Sequence, residues 1–357
     1  MKAKAMVVEK PGKMVLREFD VVPPGSDQIL LKLGVTSICA SDPKIMCGKT
    51  PYVAFPVIMG HELVGSVADI GADAAIFYDL KVGDRITVEP AVPCGHCRWC
   101  RTDFNYHKCR PLRCYGLTLK VDLPPHLFGG YSEYMYLLPG SLIHKIADGV
   151  PGLAACLSSV IGNGVRWIKN LGQMAFGQSL VISGVGSQGL ATLIAAKEFG
   201  VGPIATLGLG RDEARFELAR EYGADYTIDI EKTNPIEAVP DLFNGPPDVV
   251  VETSGVPSAI QTALALVKMT GRVASIGLSG GKETAIKFDA LVAKGVTIAC
   301  DHAQAGNFQD AMRIINSRKY PLEKINNTHY ALEDLDRGLE ETTDPPENFI
   351  KGAVVFD

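Results

Sequence analysis

The chain has 357 residues, 46% of them hydrophobic and 21% charged, with a formal net charge of −5. That length predicts two domains of ordinary size with substantial cores. The charge, spread without long blocks of one sign, excludes the clustered Lys and Arg of a nucleic-acid surface. The sequence holds no apolar run of about 18 residues, so no membrane span is predicted, and the stretch from Met1 to Lys10 has no apolar signal core. The nine cysteines are therefore expected in a reducing cytoplasm, where clustered thiols mean metal more often than disulfide.

Taken in order, the first 90 or so residues predict short strands broken by Gly, Pro and Asp. Ala3–Glu9, Gln28–Val35, Leu63–Ile70 and Asp84–Val88 are examples, and together they suggest a small β-rich barrel or sandwich. Residues of about 90–127 are rich in Cys, His and Arg and poor in apolar periodicity; so long a loop needs something to hold it, and a metal would serve. Ala154–Leu171 predicts a helix. Strands at Ser179–Ser183, Pro203–Leu207, Asp225–Asp229, Asp248–Glu252 and Arg272–Gly277 then alternate with helices at Gly189–Phe199, Glu213–Tyr222 and Ser258–Leu266. This alternation is the mark of a doubly wound parallel sheet. It stops near Asp301. Helical segments at Phe308–Asn316 and Leu332–Glu341 lead to a last strand, Ala353–Phe356, that can return to the first domain.

Within the alternating region, Gly184-Val185-Gly186-Ser187-Gln188-Gly189 is a G-x-G-x-x-G that follows an apolar strand and opens a helix, the context a dinucleotide loop requires. Its glycines let the backbone turn tightly and approach a pyrophosphate at the helix N-terminus. The acidic residue that NAD sites carry at the end of the second strand falls here on Gly210, followed by Arg211. An Arg accepts a 2′-phosphate that a carboxylate repels. NADP is therefore expected, with Arg211 and then Arg215 as its phosphate ligands; NAD, served by Asp212, is the alternative.

Cys94, Cys97 and Cys100 form a C-x2-C-x2-C, and Cys109 follows after eight residues. Four thiolates at this spacing can close a tetrahedron around one zinc. Cys114 is a less apt fourth ligand, and His96 and His107 are not needed. A second constellation is scattered: Cys39-Ala40-Ser41-Asp42 after a strand, and Gly60-His61-Glu62 after Pro56–Met59. A thiolate, an imidazole and a neighbouring carboxylate suit a second zinc.

With these residues assembled, the chain resembles the zinc-containing medium-chain alcohol and polyol dehydrogenases over nearly its whole length. The resemblance runs through Cys39–Asp42, Gly60–Gly65, Val82–Ile86, the cysteine lobe, Gly129–Tyr134, the Gly184 loop and Arg215–Asp225. It implies an α/β protein with a GroES-like catalytic domain (residues 1–153 and 300–357) around a Rossmann domain (154–299), and a homodimer or homotetramer. It also implies that Cys39 and His61 bind a catalytic zinc, that Glu62 is the carboxylate able to join them, and that Ser41 takes the alcohol proton. Cys94, Cys97, Cys100 and Cys109 would then hold the structural zinc, with a last gap one residue longer than is common.

Two positions depart from the family pattern. Aligned through Gly162-Asn163-Gly164-Val165, the third zinc ligand of the family falls on Ser159, a poor ligand. Cys156, three residues earlier on the same helical face, could replace it; Glu62 could complete the set, or the catalytic zinc could be missing. Lys44 stands where many relatives have the His that ends a proton relay. The expected activity is hydride transfer between NAD(P) and a small alcohol, secondary or polyol in class. Ser159 leaves open a zinc-independent NADPH reductase of activated C=C bonds. Ser159 and Lys44 leave open a non-catalytic dinucleotide-binding regulator.

Overall fold

Ile29–Ser37 is buried along almost its whole length, as expected of a strand enclosed on both faces. The computed structural model, which describes residues 1–103 and 105–356, places this strand at the hub of a first unit. Glu62–Ile70 pairs antiparallel along one edge, continued outward by Arg85–Val88 and Ile143–Lys145. The other edge is shared: Tyr134–Leu137 pairs with Ile29–Lys32, and the C-terminal Gly352–Val355 with Val35–Ser37. Lys13–Asp20, Lys2–Lys10 and Val57–Ile58 form a second, smaller sheet. Leu31, Leu33, Leu63, Val67, Ile86, Met135 and Tyr136 are buried in the core of this β-rich unit, which is the GroES-like domain the sequence implied.

The second unit is the expected doubly wound sheet. Its six described strands are all parallel, in the spatial order Tyr226–Asp229, Ile204–Gly208, Leu180–Ser183, Val249–Glu252, Arg272–Ser275 and Thr297–Ala299. Numbered along the chain, that order is 3-2-1-4-5-6, the order of Rossmann sheets. It reverses beside Leu180–Ser183, where the Gly184 loop begins. Val181, Ala205, Leu207, Val250 and Val273 fill the interior.

The units comprise Met1–Ser159 with Met312–Asp357, and Val160–Ala311. Both exchange points lie later in the chain than the sequence places them (after 153 and 299). The reasons are local. Cys156 is bonded to Ser37 and Asn326, which ties residues 154–159 to the first unit. Gln304 lies against Gly162, which ties the segment after 299 to the second. The expected helix Ala154–Leu171 is likewise broken. It becomes Gly152–Ala155, Ser158–Arg166 and a wider π turn at Trp167–Leu171. Among the described residues no helix is long and apolar enough to cross a membrane.

Candidate active site, cysteine lobe and dinucleotide loop

The lobe is built on one short helix, Arg98–Arg101, and one 3-10 turn, Tyr106–Lys108. Between them they bring the sulfurs of Cys94, Cys97, Cys100 and Cys109 within 4.8 Å of one another. Cys97 N–H donates to Cys94 Sγ at 3.3 Å. Backbone N–H groups of His96 and Cys97 hold the Cys94 thiol down at about 6, whereas burial pushes Cys109 up to about 12. Sulfurs this close can all ionise only around a cation, so the donor set fits one tetrahedral zinc. Cys114 is buried in the strand Arg113–Cys114 and stays outside the cluster.

The scattered constellation also comes together. The end of Ile29–Ser37 delivers Cys39, and the start of Glu62–Ile70 delivers His61 and Glu62. Because Ser37 and Glu62 are directly paired in the sheet, the three groups converge, with donor atoms within 4.8 Å of one another. Asp42, fully buried, accepts from Cys39 N–H at 2.9 Å and from Tyr131 OH at 2.6 Å through Oδ2. Its Oδ1 lies 3.6 Å from His61 Nδ1, and neither of these two atoms makes a hydrogen bond. Ser41 Oγ donates to Cys39 Sγ at 3.2 Å. Lys44 is exposed on the helix Asp42–Met46.

One residue here was not anticipated. Lys351 is buried, with Nζ 2.9 Å from Glu62 Oε2 and 2.8 Å from Ile38 O, which accepts from it. The C-terminal strand carries it there by pairing beside Val35–Ser37. The signal was legible in principle: Lys351 is the sole charge in the apolar run Phe349–Phe356, and a lone charge entering a buried strand needs a partner. Burial opposes the Lys351 charge, but the surrounding anions, Glu62 foremost, raise its pKa above the ordinary value. Burial likewise opposes a charged His61, yet Cys39 and then Asp42 lift the imidazole to about 10. Cys39, Asp42 and Glu62 thus face both the Lys351 ammonium and the His61 ring. A divalent cation closes that balance, so the residues fit a bound zinc.

Cys156 does not join them. Its thiol contacts Ser37 Oγ at 3.0 Å, Asn326 Nδ2 at 3.2 Å and Leu153 O at 3.4 Å, and burial pushes it up to about 12. A thiol held by neighbours on other elements serves as a structural tie, and Cys156 lies outside the cluster of Cys39, His61 and Glu62. Ser159 is buried. The carboxylate that lies with the Cys39 and His61 donor atoms is that of Glu62.

In the second unit the Gly184 loop has the shape its glycines were expected to give. Gly184 adopts φ +100°, where L side chains are strained, and a Cβ on Gly189 would sit 2.0 Å from Gly184 O. A Cβ on Gly186 would meet nothing within 4 Å, which leaves open space at the N-terminus of Ser187–Glu198. That helix has no side-chain cap at its start, so its first N–H groups remain for an anion. Gly210 and Arg211 lie exposed in a 3-10 turn. Arg215 is tied to Asp212, Nη1 to Oδ1 at 2.6 Å, and Asp212 Oδ2 accepts from Leu209 N–H. Of the two arginines named for a 2′-phosphate, Arg211 is the one left facing solvent.

A profile of the alcohol dehydrogenase GroES-like domain matches residues 25–148, and one of the zinc-binding dehydrogenase domain matches 161–317. A Mycobacterium tuberculosis protein named a probable alcohol dehydrogenase is 32% identical over 330 residues, covering 90% of this chain and 89% of its own. The sorbitol dehydrogenase of Halalkalibacterium halodurans is 28% identical over 340 residues, 94% of each chain. A Sinorhizobium meliloti protein solved with NADP has a TM-score of 0.88 at 23% identity, over the full length of both chains. The chain belongs to the zinc-type medium-chain alcohol dehydrogenase family. Its class is that of NAD(P)-dependent oxidoreductases acting on CH–OH donors.

Proposed function

We propose that the chain interconverts a small secondary alcohol or polyol and its carbonyl form, with NADP as cofactor and NAD as the alternative. The carrying observation is the convergence of Cys39, His61 and Glu62, with donor atoms within 4.8 Å of one another. Zinc held by these three residues would supply Lewis-acid polarisation of the substrate C–O bond, and the nicotinamide the hydride acceptor or donor.

The chain's own residues do the rest. Asp42, fixed by Tyr131 and Cys39 N–H, orients the His61 ring. Lys351, fixed by Ile38 O, holds one oxygen of Glu62 and leaves the other for the ligand set. Ser41 Oγ takes the proton from the substrate hydroxyl and returns it in the reverse direction. With Lys44 exposed, the proton passes from Ser41 to solvent rather than along a buried His. A zinc-independent C=C reductase would have no use for the Cys39, His61, Glu62 and Lys351 cluster. Arg211 is the cation for the 2′-phosphate, beside Gly210, while Gly184, Gly186 and Gly189 shape the pyrophosphate cradle.

An exposed edge supports a homo-oligomer. Thr297–Ala299 ends the parallel sheet with two of its three residues exposed, and the helix before it, Phe288–Lys294, buries none of its residues. Phe288 and Val292 are exposed there. A second copy pairing along this edge covers both, and a homodimer is the expected unit.

A panel of secondary alcohols and polyols tests the reading, with NADP and NAD, followed at the reduced-nicotinamide absorbance alongside zinc analysis. Turnover with two zinc ions per chain is expected. Full activity after selective removal of the second zinc would overturn the zinc-assisted scheme.

A further inference from the structure

We propose that Glu231, on the turn after the third strand of the Rossmann sheet, decides between the ribose 2′-hydroxyl and the 2′-phosphate of the cofactor; the inference rests on the dinucleotide reading of the Gly184 loop. Rossmann sheets hold the 2′-hydroxyl with a carboxylate at the end of the second strand. Here Gly210 has no side chain to offer. The space beside it is nevertheless filled with carboxylate: a Cβ at Gly210 would lie 3.2 Å from Asp229 Oδ2 and 3.3 Å from Glu231 Oε2. The sheet register explains why. Gly208 stands directly opposite Asp229, and Ile230 N–H donates to Gly208 O at 3.0 Å, so the turns after the two strands run side by side.

The two carboxylates are not equivalent. Asp229 is engaged, with Oδ2 3.0 Å from Lys232 Nζ and Oδ1 accepting from Glu231 N–H. Glu231 has no ion-pair partner among the described residues and accepts one hydrogen bond, from Gly210 N–H at 2.9 Å. The nearby arginines divide in the same way. Arg215 is tied to Asp212 and Arg220 to Glu213, both at 2.6 Å, while Arg211 is exposed without such a tie among the described residues.

At this edge Arg211 and Glu231 are the cation and anion without an ion pair among the described residues, while Lys232 is paired with Asp229 and only feels the charge of Glu231. A ribose hydroxyl can donate to Glu231. A phosphate there accepts only, competes with Glu231 for the Gly210 N–H, and is repelled by its charge. Arg211 favours the 2′-phosphate and Glu231 opposes it. The carboxylate missing from the second strand is supplied by the third, and the motif at Gly210 alone does not state the cofactor preference.

Binding of 2′,5′-ADP and 5′-AMP to the purified full-length protein, measured by calorimetry without turnover, isolates the effect. Glu231→Gln keeps an acceptor for Gly210 N–H and removes the charge. It is expected to shift the ratio of the two dissociation constants toward 2′,5′-ADP by about tenfold, more at low salt. Glu231→Ala moves it in the same direction, and melting temperatures near the parent's confirm that neither variant unfolds the exposed turn. Arg211→Ala weakens 2′,5′-ADP and spares 5′-AMP. An unchanged ratio in both Glu231 variants overturns the proposal. Failure of the parent protein to bind either nucleotide defeats the dinucleotide reading itself, and this proposal with it.

Discussion

The two thiolate sites of the first unit solve opposite problems. The lobe takes its four sulfurs from one short stretch, Cys94 to Cys109, with little apolar packing around them; Cys94, Cys97 and Cys100 are only part-buried. Its metal would stand in for a core. The Cys39 site draws on Cys39, His61, Glu62 and Lys351, delivered by three strands of one sheet and packed until almost no water reaches Glu62 or Lys351. There the core already exists, and a metal would balance its charges. A site made by the chain's local spacing should govern whether the loop holds its shape. A site made by strand pairing should govern chemistry while the fold persists.

That contrast can be broken by experiment. The largest effect is expected for His61→Ala: loss of one of two zinc ions and a fall in kcat of about 10³-fold or more, with the melting temperature little changed. Zinc analysis beside steady-state kinetics checks it, and an active variant with both ions in place would remove the site from catalysis. Cys100→Ser should lose the other zinc and show the reverse pattern. Its kcat measured in the cold should stay within about threefold, while its rate of thermal inactivation rises about tenfold or more. If kcat disappears in the cold in a folded Cys100→Ser protein, the two sites are not separable.

Lys351→Met sharpens the contrast further, because it leaves Glu62 buried with no ammonium. Stability should fall by about 3–5 kcal/mol and zinc affinity at the Cys39 site by about 10–100-fold, read by competition with a chelator. Lys351→Arg should restore most of the affinity. A Lys351→Met protein with parental zinc affinity would show that Glu62 needs no anchor.

Legibility from sequence follows the same divide. The lobe and the Gly184 loop are contiguous, so spacing alone exposes them: Cys94, Cys97, Cys100 and Cys109 sit together, Gly184 has a positive φ, Gly186 faces open space and Gly189 has room for no Cβ. The alternation of short strands and helices equally carried the Rossmann sheet. Lys351 and Glu231 were not seen, because each acquires its meaning from a strand register: Gly352–Val355 beside Val35–Ser37 in one case, Tyr226–Asp229 beside Ile204–Gly208 in the other. Arg215 shows the converse. Its position beside a phosphate site is visible in the sequence, but its commitment to Asp212 is not.

Cys156 gives the smallest effect and the most direct test of the Cys39 ligand set. Helical spacing put it one turn from Ser159, a plausible substitute for a missing ligand. In the structure its sulfur serves Ser37, Asn326 and Leu153 O, all in the first unit, and none of these is a metal ligand. Cys156→Ala removes those contacts and leaves a cavity smaller than a Leu→Ala change would, so a stability loss of about 1–2 kcal/mol is expected. Asn326 keeps a second partner, Leu153 O at 2.8 Å, which limits the damage. Zinc content should remain at two and kcat within about twofold, measured by metal analysis and initial rates on the same preparation. Loss of the second zinc in Cys156→Ala would mean that the thiol reaches the metal after all. Glu62 would then be held by Lys351 as a neighbour of the site and not as one of its ligands.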